Sequence, residues 1–162
     1  MRVGVLLGRF QPLHPGHVDL MRKILLKNDS LVICIGSAQL SDPFTIEERH
    51  DLVVRHANVF SGGKPVRIFD LIDPTPIDSW PEVLVALCEI NKDDHNTFYR
   101  SDLMDDVYVR KLGELGVMVE IVPRESFYYK APDGLYYLVS SSSEIKALHR
   151  KLGTPLKQRG SM

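Results

Sequence analysis

The sequence predicts an α/β domain built on an open parallel sheet with helices on both faces. Several short segments are continuous apolar runs, as expected for strands that are buried on both faces. Segments with apolar residues at helical spacing separate them, so strand and helix alternate along the chain. In such sheets the turn after the first strand commonly holds a ligand. Here that turn is unusually rich in histidine, proline and glycine.

The predicted elements follow in a regular order. We expect strands at 2–7, 30–35, 66–71, 97–99 and 117–122. We expect helices at 17–27, 45–56, 82–90 after Pro81, and 104–115. Two β-rich arms within 126–139 flank the turn signal Pro132-Asp133-Gly134, and a last helix over 141–152 starts at a run of serines. The chain of 162 residues then fits one domain over 1–152 with a short polar tail over 153–162.

Composition narrows the range of partners. The formal net charge is −1, with 25% charged residues, so there is no electrostatic reason to expect DNA, RNA or acidic membranes. Cys34 and Cys88 lie inside apolar runs and read as buried thiols, which fits a reducing compartment. No segment reaches the ~20 apolar residues that a membrane-spanning helix needs. We therefore expect a cytoplasmic protein without membrane or nucleic-acid partners, in which any bound anion is held locally.

The turn after the first strand is GRFQPLHPGH, residues 8–17. Gly8 lets a ligand approach the backbone, and the following helix start offers unpaired N–H groups and a positive dipole end. His14 and His17 each have a ring N–H to donate to phosphate oxygens, and Arg9 has a planar charged fork for the same anion. This combination favours a polyphosphate ligand.

Two other interpretations of the histidine pair stay open from the residues alone. The spacing is also that of a zinc half-site, although no third ligand of the right type lies nearby in sequence. The two histidines are equally compatible with polar surface residues at a helix start.

Longer motifs resemble one family. His14-Pro15-Gly16-His17 resembles the H-x-G-H hallmark of the nucleotidyltransferase superfamily, and the opening GRFQP is similar to nicotinamide mononucleotide (NMN) adenylyltransferases of the archaeal type. The stretches GSAQ (36–39), DPFT (42–45) and Glu48-Arg49 are similar to a further segment of that family. DPTPIDSW, with Asp73 and Trp80, is similar to its nicotinamide-site segment, and SSSSEIK (140–146) occupies the place of its second hallmark.

The resemblance implies a Rossmann-like nucleotidyltransferase fold and transfer of AMP from ATP to NMN or nicotinate mononucleotide, giving the dinucleotide (NAD from NMN) and pyrophosphate. It implies Mg²⁺ bound with ATP through phosphate oxygens and water, without a dedicated protein ligand. The implied catalytic residues are His14, His17, Arg9 and Lys146. The implied contacts to ATP are Gly8, Arg9, Phe10, His14, His17, Arg49, Ser142, Ser143 and Lys146; those to the pyridine nucleotide are Ser37, Gln39, Asp73 and Trp80.

Some of these residues have simpler interpretations. Arg49 either holds the triphosphate or steadies the loops around it. Trp80 either stacks on the nicotinamide ring or caps the core before its helix, and Asp73 is also a typical turn residue before proline.

Two departures from the family pattern keep alternatives open. Lys146 stands where the hallmark has arginine, so a bidentate fork is lost there, and Arg150 is one turn further on. The tyrosine-rich segment 127–138 precedes that hallmark. The alternatives are a different acceptor, such as phosphopantetheine, or a nucleotide-binding sensor with weak turnover. A homo-oligomer is compatible with the resemblance, but no interface pattern stands out in the sequence.

Overall fold

A five-stranded parallel sheet forms the centre of the molecule. The computed structural model describes residues 1–36 and 44–156. The strands are β1 (Arg2–Gly8), β2 (Ser30–Gly36), β3 (Val66–Leu71), β4 (His95–Arg100) and β5 (Val117–Ile121), and their order across the sheet is β3-β2-β1-β4-β5. Every pair is parallel, with Val5 opposite both Val32 and Phe98. This confirms the predicted open sheet.

Helices connect the strands. They are α1 (Pro15–Lys27), α2 (Ile46–Phe60), α3 (Trp80–Leu87), α4 (Asp106–Glu114) and α5 (Ser142–Leu152), with a 3₁₀ turn at Ile77–Ser79 before α3. The tyrosine-rich segment forms the predicted hairpin, with β6 (Phe127–Lys130) antiparallel to β7 (Tyr136–Val139). No helix within the described ranges is long and apolar enough to cross a membrane.

The core consists of two layers, one on each face of the sheet. Alternate strand residues such as Leu6 and Ile33 pack with α1 and α2, through Met21 and Val53 among others. Residues on the other face, such as Val5, pack with α3 and α4. Strand residues on both faces are buried, which is why the strands read as unbroken apolar runs instead of alternating patterns.

Several predicted helix bounds were wrong by a few residues. Helix α1 begins at Pro15, two residues before the predicted start, because the His14 side chain caps it and proline is well suited to the first helical turn. Thr45 is the cap of α2 and not its first residue, and its capping box with Glu48 sets that end. At the other end α2 continues to Phe60, beyond the predicted His56, because buried Ala57 and Phe60 extend its apolar face.

Two further helices are shorter than predicted. Helix α3 begins at Trp80 and ends at Leu87, and Cys88 caps it outside helical geometry, so the last residues of the apolar run 82–90 are not helical. Helix α4 begins after Asp105, whose carboxylate accepts a hydrogen bond from the N–H of Val107.

The loop after β1 lies at the point where the strand order of the sheet reverses. The chain leaves β1 toward β2 on one side, while β4 pairs with β1 on the other, so strand order reverses between β1 and β4. Ligands of open α/β sheets bind beyond the carboxyl ends of the strands at this point. The loop that starts there is residues 9–14, between β1 and α1.

Candidate functional site

His14 and His17 cap the first turn of α1 reciprocally. Nδ1 of His14 accepts a hydrogen bond from the backbone N–H of His17 at 3.3 Å, and Nδ1 of His17 accepts one from the N–H of His14 at 3.2 Å. This is the geometry of a capping box, with histidines in place of the usual hydroxyl and carboxylate. The H-x-x-H spacing is therefore dictated in part by the helix end itself.

The same two bonds fix the protonation of both rings. A backbone N–H is a donor, so each Nδ1 must be unprotonated, and each neutral ring carries its hydrogen on Nε2. Burial lowers the pKa of His14 to about 4 and lowers the pKa of His17 well below its ordinary value; the neighbouring His14 and the Arg124 charge lower the pKa of His17 further. Both rings are thus neutral at pH 7. In the described part of the chain neither Nε2–H has a hydrogen-bond acceptor, so both remain available as donors.

Aromatic packing holds the rings in place. His14 and His17 stack with centroids 3.6 Å apart, Phe127 of the hairpin stacks on His14 at 4.5 Å, and Phe10 packs edge-on against His17 at 4.8 Å. Gly16 permits this arrangement, because a Cβ there would lie 2.9 Å from Phe127 and 3.0 Å from the His14 ring. The histidines are therefore held rigidly before any ligand arrives.

A cavity of about 490 Å³ opens beside this pair, and we call it the histidine cavity. It contains His14 and His17 from the predicted site, together with Ser142 and Ser143 at the start of α5. The Ser141 hydroxyl caps α5 by accepting from the N–H of Glu144, as the run of serines predicted. Two helix N-termini, those of α1 and α5, thus meet at one cavity, and both favour an anion.

Sequence reasoning missed the charged residues of this cavity, of which Arg124 is one. Arg124 lies in the loop after β5 and lines the histidine cavity, and its Nη2 donates to Asp102 at 2.7 Å. The signal was its position just beyond the carboxyl end of β5, at the edge of the sheet where ligands bind. Lys146, which was expected at this site, is half-buried in α5 and does not line the cavity.

A second cavity of about 550 Å³ lies at the carboxyl ends of the strands, and we call it the tryptophan cavity. It brings together Gly8, Arg9, Asp73 and Trp80, all expected at the site, with Arg100. Trp80 is half-buried and its ring packs near Phe98 and Tyr108, at centroid distances of 5.8 and 5.4 Å. The indole therefore both covers the core and presents surface to the cavity.

Two further expected residues, Phe10 and Arg49, line neither cavity. Phe10 is buried beneath the turn and occupies the space above Gly8, where a Cβ would be 2.8 Å from its ring. Arg49 is fully buried and donates to the carbonyls of Arg9 and Gly36 at 2.8 Å each, an arrangement that favours its interpretation as a residue that steadies the loops. Ser37 and Gln39 lie outside the described residues.

Comparisons with known proteins agree with this geometry. The family model described as Cytidylyltransferase-like matches residues 5–148. Nicotinamide-nucleotide adenylyltransferase from Thermoplasma acidophilum is 52% identical over 54 residues, which are 31% of this chain and 30% of that protein. The enzyme of the same name from Pyrococcus furiosus is 41% identical over 59 residues, or 34% of this chain and 31% of that protein. The matched segments thus span only about three tenths of these curated relatives.

Solved structures show the same fold. The bifunctional NMN adenylyltransferase/ADP ribose pyrophosphatase from Francisella tularensis superposes with a TM-score of 0.65 at 20% identity, covering 93% of this chain and 42% of that one. NadR protein in complex with NAD and AMP-PNP superposes with a TM-score of 0.58 at 22% identity, covering 75% of this chain and 38% of the other. With the H-x-G-H turn at the reversal point of the sheet and a family match from β1 into α5, this chain belongs to the Cytidylyltransferase-like family of the nucleotidyltransferase superfamily.

Proposed function

We propose that this protein transfers AMP from ATP to a pyridine mononucleotide, NMN or nicotinate mononucleotide, and releases pyrophosphate. The observation that carries the proposal is the pair of neutral, rigidly held histidines whose Nε2–H groups face no acceptor among the described residues. The names of the relatives from Thermoplasma and Pyrococcus support the choice of acceptor. The tryptophan cavity supports it as well, because its aromatic wall and polar groups suit a pyridine ring.

The reaction needs little from the protein beyond positioning and charge stabilisation. A 5′-phosphate oxygen of the mononucleotide forms a bond to the α-phosphorus of ATP, and the bond from that phosphorus to the bridging oxygen of pyrophosphate breaks. Negative charge shifts to the phosphoryl oxygens and to the leaving group. His14 and His17 donate hydrogen bonds to those oxygens from Nε2–H, and being preorganised they do so without reorientation.

In this proposal each of the two cavities binds one of the two substrates. ATP places its phosphates in the histidine cavity, where two helix N-termini and the serine hydroxyls of α5 meet. The acceptor occupies the tryptophan cavity, whose lining includes Arg9, and the Arg9 guanidinium binds the acceptor phosphate there. Within the described ranges no group of three or more His, Cys, Asp or Glu side chains is arranged to hold a metal. Mg²⁺ bound together with ATP would supply neutralisation of the phosphate charge, with phosphate and water oxygens as its ligands.

The test is pyrophosphate release by the purified protein with ATP and Mg²⁺ and one of three acceptors: NMN, nicotinate mononucleotide or phosphopantetheine. We expect turnover with a pyridine mononucleotide and its collapse in His17→Ala. His50→Ala is the matched control, because His50 lies on α2, pairs with Asp70 and lines neither the histidine nor the tryptophan cavity. Turnover with phosphopantetheine alone would contradict the acceptor. Absence of turnover with all three acceptors, with ATP still bound, would instead make the chain a nucleotide-binding module.

A further inference from the structure

We propose that Arg124 supplies the guanidinium that binds the nucleotide phosphates in this chain, in the role that the family resemblance assigns to the position of Lys146. The inference rests on the proposed function, since it concerns the residues that hold ATP. It concerns this chain in particular, because Lys146 departs from the family arginine.

Arg124 is placed where the phosphates would lie. It lines the histidine cavity together with His14, His17 and the serines that open α5. Its positive charge reaches groups on two elements at once, because it contributes to lowering the pKa of both histidines of α1 and of Glu144 in the first turn of α5. Because Arg124 lines the same cavity as the starts of α1 and α5, an anion bound there would lie beside this guanidinium. Lys146 lines neither cavity.

The chemistry of the side chain also favours Arg124. Guanidinium offers a planar fork for bidentate binding of a phosphate, which an ammonium group lacks. The present partner of Arg124 is the carboxylate of Asp102, and the two side chains are 45% and 60% exposed. Such exposed ion pairs contribute little stability, so a multiply charged phosphate can displace the carboxylate. In this proposal Asp102 pairs with Arg124 when no phosphate is bound.

The histidine cavity has two further cationic side chains, those of Lys23 and Arg22. Lys23 bonds to Glu125 at 2.8 Å and to Asp19 at 3.2 Å, so two carboxylates already neutralise it. Arg22 also lines the cavity, but Arg124 is the arginine whose charge lowers the pKa of both histidines. Among these cations Arg124 is therefore the best placed for the reacting phosphates.

The experiment compares Arg124→Ala and Arg124→Lys with Lys146→Ala, using ATP affinity by calorimetry and pyrophosphate release with ATP and NMN or nicotinate mononucleotide. Loss of a charge-assisted bidentate contact predicts a fall in ATP affinity and in kcat/KM of about tenfold to a hundredfold for Arg124→Ala. Lysine at 124 should restore part of the loss. Lys146→Ala should reduce both quantities less than Arg124→Ala does.

A second readout needs no turnover. Removing the Arg124 charge should raise the pKa of His14, which can be measured by NMR of the ring protons during a pH titration. Lys146→Ala should leave the pKa of His14 unchanged. If the wild type binds ATP but releases no pyrophosphate, the proposed function fails and the affinity comparison still decides the inference. The inference about Arg124 is overturned if Arg124→Ala leaves ATP affinity unchanged, or if Lys146→Ala lowers ATP affinity more than Arg124→Ala does. A wild-type chain that binds no ATP overturns both proposals.

Discussion

At the scale of single residues, each histidine of the H-x-G-H turn accepts a structural hydrogen bond at Nδ1 and carries a donor at Nε2 that bonds to none of the described residues. The structural task explains why the pair is spaced by two residues, since an N-cap and the third helical residue face each other across the first turn. An alanine at either position removes both functions at once. A variant that keeps only the structural bond is therefore more informative.

His17→Gln is such a variant. A glutamine at the third helical position can still reach back to the N–H of His14, as in an ordinary capping box, but it has no ring N–H at the place of Nε2. We expect its stability in denaturant titration to match the wild type, whereas His17→Ala loses about 1 kcal/mol. Both variants should lose pyrophosphate release. If His17→Gln kept full activity, the chemistry would not need the ring N–H of His17.

At the scale of elements, the β6–β7 hairpin depends on its neighbours. A two-stranded sheet alone is marginal in water, and this one presents Tyr128, Tyr136 and Leu138 to solvent. Its opposite face carries Phe127 onto His14 and Tyr129 onto α5. The hairpin is thus connected to both helices whose N-termini border the histidine cavity.

The bond from Tyr129 to α5 has a definite direction. Nδ1 of buried His149 lies 3.0 Å from the carbonyl of Pro155, which can only accept, so this nitrogen carries the hydrogen. Nε2 then accepts from the Tyr129 hydroxyl at 2.8 Å. Tyr129→Phe should cost about 1 kcal/mol of stability and increase amide hydrogen exchange in β6 and β7.

Tyr137→Phe is the matched control in the same hairpin. Its hydroxyl donates to Asp133 in the exposed turn, so its loss should change stability and exchange less than the loss of the Tyr129 hydroxyl. Equal effects of the two substitutions would mean that the bond to α5 does not hold the hairpin.

At the scale of the whole molecule, the sheet was predictable from the sequence and part of the site was not. Burial on both faces leaves an unmistakable apolar run, so all five strands were found, with β4 longer than expected because its ends carry polar residues such as His95 and Arg100. The start of α1 was missed because histidine is not an ordinary cap. Arg124 was missed because it and His14 come to line one cavity only in the folded sheet, where the loops after β1 and β5 lie at the same edge.

The buried histidine pair also makes the stability of the whole molecule depend on pH. In the unfolded chain a histidine takes up a proton near pH 6.5, whereas burial keeps the pKa of His14 in the folded protein at about 4. Between these values the unfolded state binds more protons than the folded state. The free energy of unfolding must then rise with pH, and it falls on acidification from pH 7 toward pH 4.

His14→Asn isolates this contribution. Asparagine is a good N-cap, so the end of α1 is retained while the titrating ring is removed. The pKa difference at His14 corresponds to a loss of up to about 3 kcal/mol on going from pH 7 to pH 4 in the wild type, and the variant should lose correspondingly less. Denaturant titrations at several pH values measure how steeply the free energy of unfolding depends on pH in the wild type and in His14→Asn. His95→Asn, at an exposed position, is the control for loss of a histidine. If the free energy of unfolding depended on pH as steeply in His14→Asn as in the wild type, burial would not hold His14 neutral. The assignment of its Nε2–H as a preformed neutral donor would then be wrong as well.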